Sequence, residues 1–468
     1  MASRLSPISS AYLPPRLLAM GLGEFLIIGG CFLLAAVLRL GSDAYFMLNY
    51  QGGFLKIGLI CFICMLCLYF SDFYDVRVFS NRRELVTRTP QVVGSATIVL
   101  GVLYYIYPPL GVGRGVFALG ITMLAVSLIG YRVAFLRLTR ALLFTENTLV
   151  LGDGALAREL AGEIQNRPEL GLRLLGLVSE NGLNPSASPV LGGQPTVIGT
   201  TQQLIPLVSQ RGVRRLIVAM QDRRGKLPLS ELVQLKAQGI AIEDGVNVYE
   251  SLSGKIAVAG LTPGWLVLGN GFAVSRVRQI SIRVVSVVFA AVGLVLSAPL
   301  MLLVAALIKL DSPGPVFFRQ KRVGKDGRVF EVIKFRTLRH SEQWKYYLVQ
   351  PQDNRLTRVG LWVRKFHLDE LPQLINILHG DMTFVGPRPI PVWEAERAWC
   401  IPCHDLRTRV LPGLTGWAQI HQGYCATIEE MRERLCYDLF YLKHMSFSLD
   451  LWIFVRTVKI LVLGRGAR

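Results

Sequence analysis

The chain has 468 residues, of which 51% are hydrophobic, and its formal net charge is +19 at pH 7. This length suggests about three domains if each takes roughly 150 residues. High hydrophobicity together with a basic excess argues against a purely soluble enzyme, and the excess suits anionic lipid or phosphate-bearing substrates. The sequence has no zinc-finger, basic-zipper or aromatic ribonucleoprotein pattern, so no nucleic acid is expected as a partner.

Four apolar segments of spanning length occupy the N-terminal third, each close to the ~20 residues that a bilayer core requires. They cover residues 17–40, 53–70, 91–110 and 116–136. Arginines are concentrated in the second connection and at the end of the fourth segment, whereas the first connection has no Lys or Arg. By the positive-inside rule, a four-helix transmembrane region over residues 1–145 has both ends in the cytosol.

Residues 146–275 have the pattern of a soluble α/β domain. Buried strands alternate with helical stretches, which predicts a Rossmann-like, doubly wound parallel sheet. The first strand leads into Gly152-x-Gly154-x-x-Ala157, a shortened dinucleotide fingerprint that is a weak signal by itself. We find no firm ribose-binding acid about twenty residues further on. A structural or regulatory module is therefore favoured, and phosphate binding stays open.

A long uncharged segment, residues 284–308, begins the last part of the chain, which we assign to residues 276–468. Basic residues flank it on both sides, so a spanning helix would place one basic cluster outside, against the positive-inside bias. Pro299, near its middle, removes one helical donor and bends the chain. We therefore expect a re-entrant membrane helix over about 282–310. A kinked fifth spanning helix is the alternative.

A basic stretch follows the apolar segment. Arg319 and Arg322 come first, and Lys334 and Arg336 lie in a strand-like stretch between glycine turns. Arginine offers bidentate contacts to a phosphate and lysine offers a point charge, so these cations could hold a diphosphate. A solvated or lipid-facing basic surface is the alternative.

An adjacent acid pair, Asp369 and Glu370, opens an apolar-periodic run that is typical of a helix. We expect Asp369 at or near the N-cap, with Pro372 tolerated in the first turn. The helix dipole would hold a carboxylate there ionised. Beside a bound phosphate, Asp369 could act as a nucleophile, and Glu370 could ligate Mg²⁺. On helix signals alone, an ordinary capping Asp with a first-turn Glu is the simpler interpretation.

The sequence from about residue 278 to 462 resembles the bacterial sugar transferase family. The matching runs are SAPLMLLVAALIKLDSPGPVFFRQKRVGKDG, FEVIKFRTL, RLTRVGLWVRKFHLDELPQLINILHGDMTFVGPRP, LPGLTGWAQI and YDLFYLKHMSFSLDLWI. Members are polyprenyl-phosphate sugar-1-phosphate transferases with an α-rich, monotopic catalytic domain. The four N-terminal helices and the Rossmann-like domain resemble the long form, which initiates exopolysaccharide or O-antigen synthesis. The runs SAYLPPRLL and YESLSGKIAVAGLTPGWL resemble an exosortase-associated subgroup.

The resemblance implies a role for individual residues. It makes Asp369 and Glu370 the catalytic pair, with Glu370 also a ligand of the cofactor Mg²⁺. The family's helix break matches Pro299, although the serine that often precedes it is Ala298 here, and His367 replaces a common small hydroxyl residue. The cations that the motifs match are Arg364 just upstream of the pair, Arg388 in Gly-Pro-Arg-Pro, and Lys334 and Arg336 in Lys-Phe-Arg.

The resemblance also implies a reaction and a location. Asp369 attacks the sugar-proximal phosphate of a UDP-sugar and expels UMP, and undecaprenyl phosphate then takes the sugar-phosphate from the carboxylate. The expected partners are the UDP-sugar, undecaprenyl phosphate and membrane lipids, and a homodimer is left open. We expect a multi-pass protein of the bacterial inner membrane with its catalytic domain on the cytosolic face. Residues 447–462 are expected to form an interfacial amphipathic helix.

Two other functions are alternatives. A membrane-anchored nucleotide-sugar dehydratase or epimerase also joins four helices to a Rossmann domain, but that chemistry needs a Tyr-x-x-x-Lys pair, and no tyrosine here has a lysine four residues later. A non-enzymatic scaffold that senses lipid or nucleotide would bind nucleotide without turnover. Cys400-Ile-Pro-Cys403-His404 matches the pattern of covalent haem attachment, but the expected cytosolic location favours reduced thiols.

Overall fold

The computed structural model describes most of the chain, in two compact units. The first contains the described residues up to Glu146 together with those of the range Pro168–Arg173, and the second contains the other described residues from Asn147 onward. The described residues are 15–74, 82–142, 146–167, 171–180, 196–220, 226–256, 276–339, 355–423, 425 and 427–463.

The first unit is helical. Four of its helices are long and apolar enough to cross a membrane, which confirms the four predicted segments by length and composition. A short helix in the first connection was not predicted from the sequence. In chain order the helices are α1 (Pro15–Leu40), α2 (Asp43–Tyr50), α3 (Gly53–Phe70), α4 (Arg82–Ile106) and α5 (Arg114–Leu142).

A buried ion pair joins α1 to α5. Arg132 donates from Nε to Glu24 Oε1 at 2.7 Å, and both side chains are almost fully buried. Tyr74 donates to the other carboxylate oxygen of Glu24 at 2.6 Å, and Arg132 also donates to the carbonyl oxygen of Phe73. Buried charges are costly unless they are paired and hydrogen-bonded. These contacts therefore stabilise one arrangement of α1, α5 and the end of α3.

The second unit begins with a five-stranded sheet in the order β3-β2-β1-β4-β5, and the pairings β2–β3, β1–β4 and β4–β5 are parallel. This confirms the predicted α/β parallel sheet. The elements are β1 (Glu146–Leu151), α6 (Ala155–Asn166), β2 (Leu172–Ser179), β3 (Val197–Thr200), α7 (Leu204–Gln210), β4 (Arg215–Val218), α8 (Leu229–Ala237), β5 (Ala241–Asp244) and α9 (Gly245–Ser253).

The glycines of the shortened fingerprint lie in the turn between β1 and α6. Gly152 has a φ of +127°, and a Cβ there would lie 2.7 Å from the carbonyl oxygen of Ala219, just after β4. Gly154 is the N-cap of α6, and Asp153 accepts a hydrogen bond from Ser179 at 2.7 Å. Close packing of the backbone is therefore sufficient to require Gly152. Phosphate binding in this turn stays untested.

The rest of the second unit is mainly helical. The two smaller sheets are the antiparallel hairpin β6–β7 and the parallel pair β8–β9. The elements are α10 (Arg276–Asp311), β6 (Phe317–Val323), β7 (Val329–Phe335), α11 (Arg358–Lys365), α12 (Gln373–His379), β8 (Thr383–Val385), α13 (Val392–Ala398), β9 (Gly413–Thr415), α14 (Trp417–His421), α15 (Ile428–His444) and α16 (Phe447–Val462).

The long helix α10 runs continuously through Pro299, so any change of direction there is a bend within helical backbone and not an interruption. Its N-terminal half packs on α12. Arg283 donates to the carbonyl oxygens of Ile377 and Leu378 at the end of α12, the second bond measuring 2.8 Å. Ala290 is fully buried in the same apolar cluster as Ile377.

The C-terminal half of α10 packs on the same folded unit. Val304 and Ile308 are buried in one cluster with Val363 of α11. Asp311, the last residue of α10, accepts a hydrogen bond from the backbone N–H of Val359 at 3.0 Å. Both halves of this apolar helix are therefore fixed to one domain.

The sheet domain and the helical part of the second unit are also in direct contact. Glu250 of α9 is buried and accepts from Lys443 at 2.7 Å and contacts His444, both at the end of α15. The indole N–H of Trp417 donates to the carbonyl oxygen of Gly254 at 2.7 Å. The predicted boundary between residues 275 and 276 falls at the edge of a segment outside the described residues.

Candidate active site

The acid pair lies in a short 3₁₀ helix, Leu368–Glu370, between α11 and α12. The prediction that Asp369 lies at or near the N-cap of the α-helix is wrong, because α12 begins only at Gln373, with Pro372 as its N-cap. Pro372 has no N–H and cannot close an α-helical ring. The chain instead forms the tighter bond from Leu371 N–H to the carbonyl oxygen of Leu368.

His367 directly precedes the 3₁₀ helix that carries the acid pair. Its backbone is left-handed, with a φ of 54°, a conformation that costs free energy for a residue with a Cβ. Its Nε2 is buried and has no hydrogen-bond partner among the described residues, and the same holds for Nε2 of Gln373. Unsatisfied buried polar atoms are rare in folded proteins. The two residues lie two and four positions from Asp369 in the sequence, so both unsatisfied atoms belong to the segment that carries the acid pair.

Two cations converge on one oxygen of Glu370. Lys334 Nζ lies 2.7 Å from Glu370 Oε1, and Arg388 Nη2 donates to the same oxygen at 2.7 Å. Lys334 Nζ lies farther from Asp369, at 3.7 Å from Oδ2. The structure thus brings together four of the residues that were predicted from the sequence. Glu370 is held by strong charge-assisted bonds, whereas Asp369 is only loosely engaged.

The two carboxyl groups differ in their pKa. Burial raises the pKa of Asp369, the charge of Lys334 opposes that rise, and Glu370 adds to it. Burial also acts to raise the pKa of Glu370, but Arg388 and Lys334 outweigh it and hold that pKa well below its usual range. A pair of carboxyl groups with pKa values pushed apart can divide the chemical roles between them. Glu370 is the permanent anion, and Asp369 is the more basic carboxylate.

Burial and neighbouring charges also shift the pKa values of the cations. Burial lowers the pKa of Lys334, which lies near the end of β7. The pKa of Arg388 is raised, first by the charge of Glu370. Arg364, in the last turn of α11, acts on Asp369 through its positive charge, which works to lower the pKa of that carboxyl. The site is therefore a buried cluster of opposite charges, suited to an anionic ligand.

Arg322 lies beside Arg388 and orders the loop that carries it. Its Nη1 donates to the carbonyl oxygen of Pro389 at 2.6 Å, and its Nε and Nη2 donate to Gln320. Burial, together with the charge of Arg388, lowers the pKa of Arg322 to about 10. Arg322 thus stabilises the Gly-Pro-Arg-Pro loop.

Two predicted phosphate ligands lie elsewhere. Arg336 follows the end of β7, and its guanidinium donates to the carbonyl oxygens of Ser312 and Pro313 just after α10. Arg319 is opposite Ile333 in the hairpin, so it lies on the other face from Lys334, and it contacts Glu331 at 3.8 Å. Neither arrangement supports a role in the phosphate site.

Two supporting residues were missed at the sequence level. Arg407 donates from Nη2 to the carbonyl oxygen of Arg388 at 2.8 Å, and it forms an ion pair with Asp438 of α15 at 2.9 Å. Asp438 is almost fully buried. A charged residue within an apolar helical run was the available signal, because such a residue is seldom buried without a partner.

The donors near the acid pair bear on metal binding. No group of three or more His, Cys, Asp or Glu side chains among the described residues could hold a metal ion by itself. Mg²⁺, however, is usually bound through one or two carboxylates together with substrate phosphates. Asp369 and Glu370 fit that smaller set of donors. Cys400, Cys403 and the other six cysteines are free thiols.

Comparisons with known proteins agree with this site. A family model described as bacterial sugar transferase matches residues 277–464, and one described as CoA-binding domain matches residues 69–237. A UDP-N-acetylgalactosamine-undecaprenyl-phosphate N-acetylgalactosaminephosphotransferase from Aeromonas hydrophila is 38% identical over 228 residues, 47% of this chain and 52% of that protein. The chain thus spans about half the length of that relative.

The chain covers a larger share of two further relatives. A UDP-glucose:undecaprenyl-phosphate glucose-1-phosphate transferase from Caulobacter vibrioides is 44% identical over 190 residues, 40% of this chain and 71% of that protein. The exopolysaccharide production protein ExoY from Sinorhizobium fredii is 33% identical over 229 residues, 46% of this chain and 99% of that protein.

Proposed function

Because the chain belongs to the bacterial sugar transferase family, we propose that it transfers a sugar-1-phosphate from a UDP-sugar to undecaprenyl phosphate and releases UMP. The names of its relatives support both substrates. One structural observation carries the proposal: the buried convergence of Lys334 and Arg388 on Glu370, with Asp369 next to it.

Asp369 is the better candidate for the nucleophile. Its carboxylate is loosely held and its pKa is raised by burial, whereas Glu370 is bound to two cations at 2.7 Å. In the first step, an oxygen of Asp369 bonds to the sugar-proximal phosphorus. The bond from that phosphorus to the bridging oxygen breaks, and the oxygen leaves with UMP. The product on the protein is an aspartyl sugar-phosphate.

The second step regenerates the site. A phosphate oxygen of undecaprenyl phosphate bonds to the same phosphorus, and the acyl-phosphate bond breaks, which returns the carboxylate of Asp369. Lys334 and Arg388 stabilise the negative charge that develops on the phosphoryl oxygens, and their fixed positions reduce the reorganisation needed. Mg²⁺, when bound by Glu370 and Asp369 with the substrate phosphates, would supply further charge neutralisation.

The membrane position is also a proposal. A straight helix of 36 residues would be about 54 Å long, well beyond a bilayer core of ~30 Å. Both halves of α10 pack on one folded domain, while Val295 and Leu296 in its middle are each 74% exposed. These observations support a re-entrant helix bent at Pro299. The catalytic domain then lies on the cytosolic face of the bacterial inner membrane, where nucleotide and lipid phosphate can both reach it.

The direct test incubates membranes that contain the protein with undecaprenyl phosphate and a panel of UDP-sugars, and it measures UMP release. Asp369→Asn should reduce release to background, because an amide is a poor nucleophile. Glu231→Gln, a partly exposed position on α8 of the sheet domain, should match the wild type. If no UDP-sugar yields UMP with the wild-type protein, the proposed function is wrong. If Asp369→Asn retains the wild-type rate, Asp369 is not the nucleophile.

The covalent intermediate has its own test. When the lipid is omitted, labelled sugar should remain on the denatured wild-type protein and be absent from Asp369→Asn. Adding undecaprenyl phosphate before denaturation should remove the label. A protein that releases UMP but never retains label without lipid would favour direct transfer between the two substrates.

A further inference from the structure

A cavity of about 840 Å³ opens beside Arg388. Its walls include the turn between β6 and β7, part of α13, and the 3₁₀ helix His404–Arg409. Among the described residues, Asp369 and Glu370 do not line it, whereas Arg388 lines it and also bonds to Glu370. Arg388 therefore lies between the acid pair and the cavity.

The chemistry proposed above decides which part of a UDP-sugar belongs on that side. In phosphoryl transfer the attacking and leaving oxygens lie roughly in line, on opposite sides of the phosphorus. With Asp369 as the nucleophile, UMP departs on the side away from Asp369. A phosphate bound by Arg388 would have the cavity on that side. The volume is within the usual range of small-molecule sites.

We propose that this cavity binds the nucleoside of the UDP-sugar, with the base stacked on Trp399; this inference rests on the proposed function. Trp399 follows α13, lines the cavity and is 82% exposed. An accessible indole offers a flat surface for a planar base. Large exposed aromatic side chains at the mouth of a cavity are frequent ligand contacts.

The rest of the lining has an apolar part that suits a planar base and a polar part that suits the hydroxyl groups of the attached ribose. The polar part includes Asp326, Glu396, Asp405, Thr408 and Arg409. Pro387, Pro389, Pro402 and Pro412 all line the cavity, and proline supplies apolar faces without N–H donors. His404 also lines the cavity, and burial lowers its pKa to about 4, so its imidazole is neutral near pH 7. A neutral imidazole can both donate to and accept from an uncharged base.

The test measures binding of UMP to the full-length protein, in detergent or in nanodiscs, without turnover. UMP carries the nucleoside and one phosphate but no sugar. Trp399→Ala should weaken UMP binding about tenfold or more, since base stacking on an aromatic side chain is lost. Trp399→Phe should keep most of the affinity. Trp362→Ala removes a tryptophan that is similarly exposed but does not line the cavity, and it should bind UMP like the wild type.

A second probe separates the base from the phosphate. Ribose-5-phosphate has the sugar-phosphate of UMP without its base, so its weak binding should be equal in wild type and Trp399→Ala. Wild-type UMP affinity in Trp399→Ala would overturn the inference. A change in preference among UDP-sugars with unchanged UMP affinity would also overturn it, because the cavity would then hold the transferred sugar.

The two proposals fail separately. If Trp399→Ala binds UMP normally while the wild type still releases UMP from a UDP-sugar, the cavity assignment is wrong and the proposed function stands. If the wild type releases no UMP from any UDP-sugar, the proposed function is wrong, whatever the UMP affinities of the Trp399 variants.

Discussion

Arg407 donates a hydrogen bond to the carbonyl oxygen of Arg388 at 2.8 Å while it is paired with the buried carboxylate of Asp438. Arg388, which bonds to Glu370, is thus connected through Arg407 to Asp438 of α15, 50 residues later in the sequence. Because Arg407 fixes the backbone carbonyl of Arg388, the side chain of Arg388 has less conformational freedom. Charges held in fixed positions stabilise a transition state more effectively than mobile ones.

We expect Asp438→Asn to weaken both the fold and the reaction. It leaves the charge of Arg407 buried without its partner, a change that typically costs about 3–5 kcal/mol. The free energy of unfolding and the kcat and KM for UMP release would be measured together. If Arg407 positions Arg388, kcat should fall in the fraction that remains folded. Arg432→Gln, exposed on the same helix, is the control and should change neither quantity. A normal kcat with lower stability would limit Asp438 to a structural role.

Glu370→Gln should lower kcat for UMP release about 100-fold or more in the fraction that remains folded, and it should also lower the free energy of unfolding, because two buried cations lose their partner. The change removes the anion that fixes Lys334 and Arg388, and misplaced donors lose most of their stabilising effect. The Mg²⁺ concentration for half-maximal activity should also rise if Glu370 is a ligand. Glu331→Gln, a half-exposed glutamate of β7, provides the matched control. If wild type and Glu370→Gln need the same Mg²⁺ concentration for half-maximal activity, Glu370 is not a ligand of Mg²⁺.

UMP release should decline as the pH falls, with the decline beginning above the range of an ordinary aspartate. Asp369 must be ionised to attack, and burial raises its pKa, so the protonated form persists to higher pH. Lys334 opposes that rise, and Lys334→Met should therefore move the acidic limb of the pH profile further upward. The pH dependence of kcat for both proteins is the measurement. A limb that moved downward in Lys334→Met would contradict this account of Asp369.

The two ends of α10 should be accessible from the cytosolic side only. Single cysteines at Gln279 and Lys309, in a variant whose eight native cysteines are serine, can be labelled with an impermeant thiol reagent. Both should react in inverted vesicles and not in intact spheroplasts. Ser42→Cys, in the first connection, is the control and should react from the opposite side. In a protein that also carries Pro299→Ala, one end of α10 should become accessible from outside. If Gln279→Cys is labelled from outside while Pro299 is present, α10 is not re-entrant.

Much of the fold could be predicted because its signals are local. Apolar runs indicated the long helices, and alternating strands and helices indicated the parallel sheet. The acid pair itself was also found from the sequence. The local structure around the acid pair could not be predicted, because the 3₁₀ turn depends on the left-handed backbone of His367 and on the missing N–H of Pro372.

The residues behind the site could not be placed from one sequence. Arg336 matches a motif with Lys334, yet it lies past the end of β7 and bonds to the backbone after α10. Arg407 reaches Arg388 across a separation of 19 residues, and Asp438 comes from another helix. Such contacts arise from tertiary packing, for which hydrophobic periodicity carries no signal.

The order of synthesis distinguishes Pro299 from the later residues that fix α10. Two of the bonds that fix α10 come from Val359, 48 residues after Asp311, and from Ile377, 94 residues after Arg283. Protein chains emerge from the ribosome N-terminus first. The apolar helix is therefore synthesised before the residues that form these two bonds. Pro299 lies within the helix itself, so its missing N–H affects the helical backbone already at that stage.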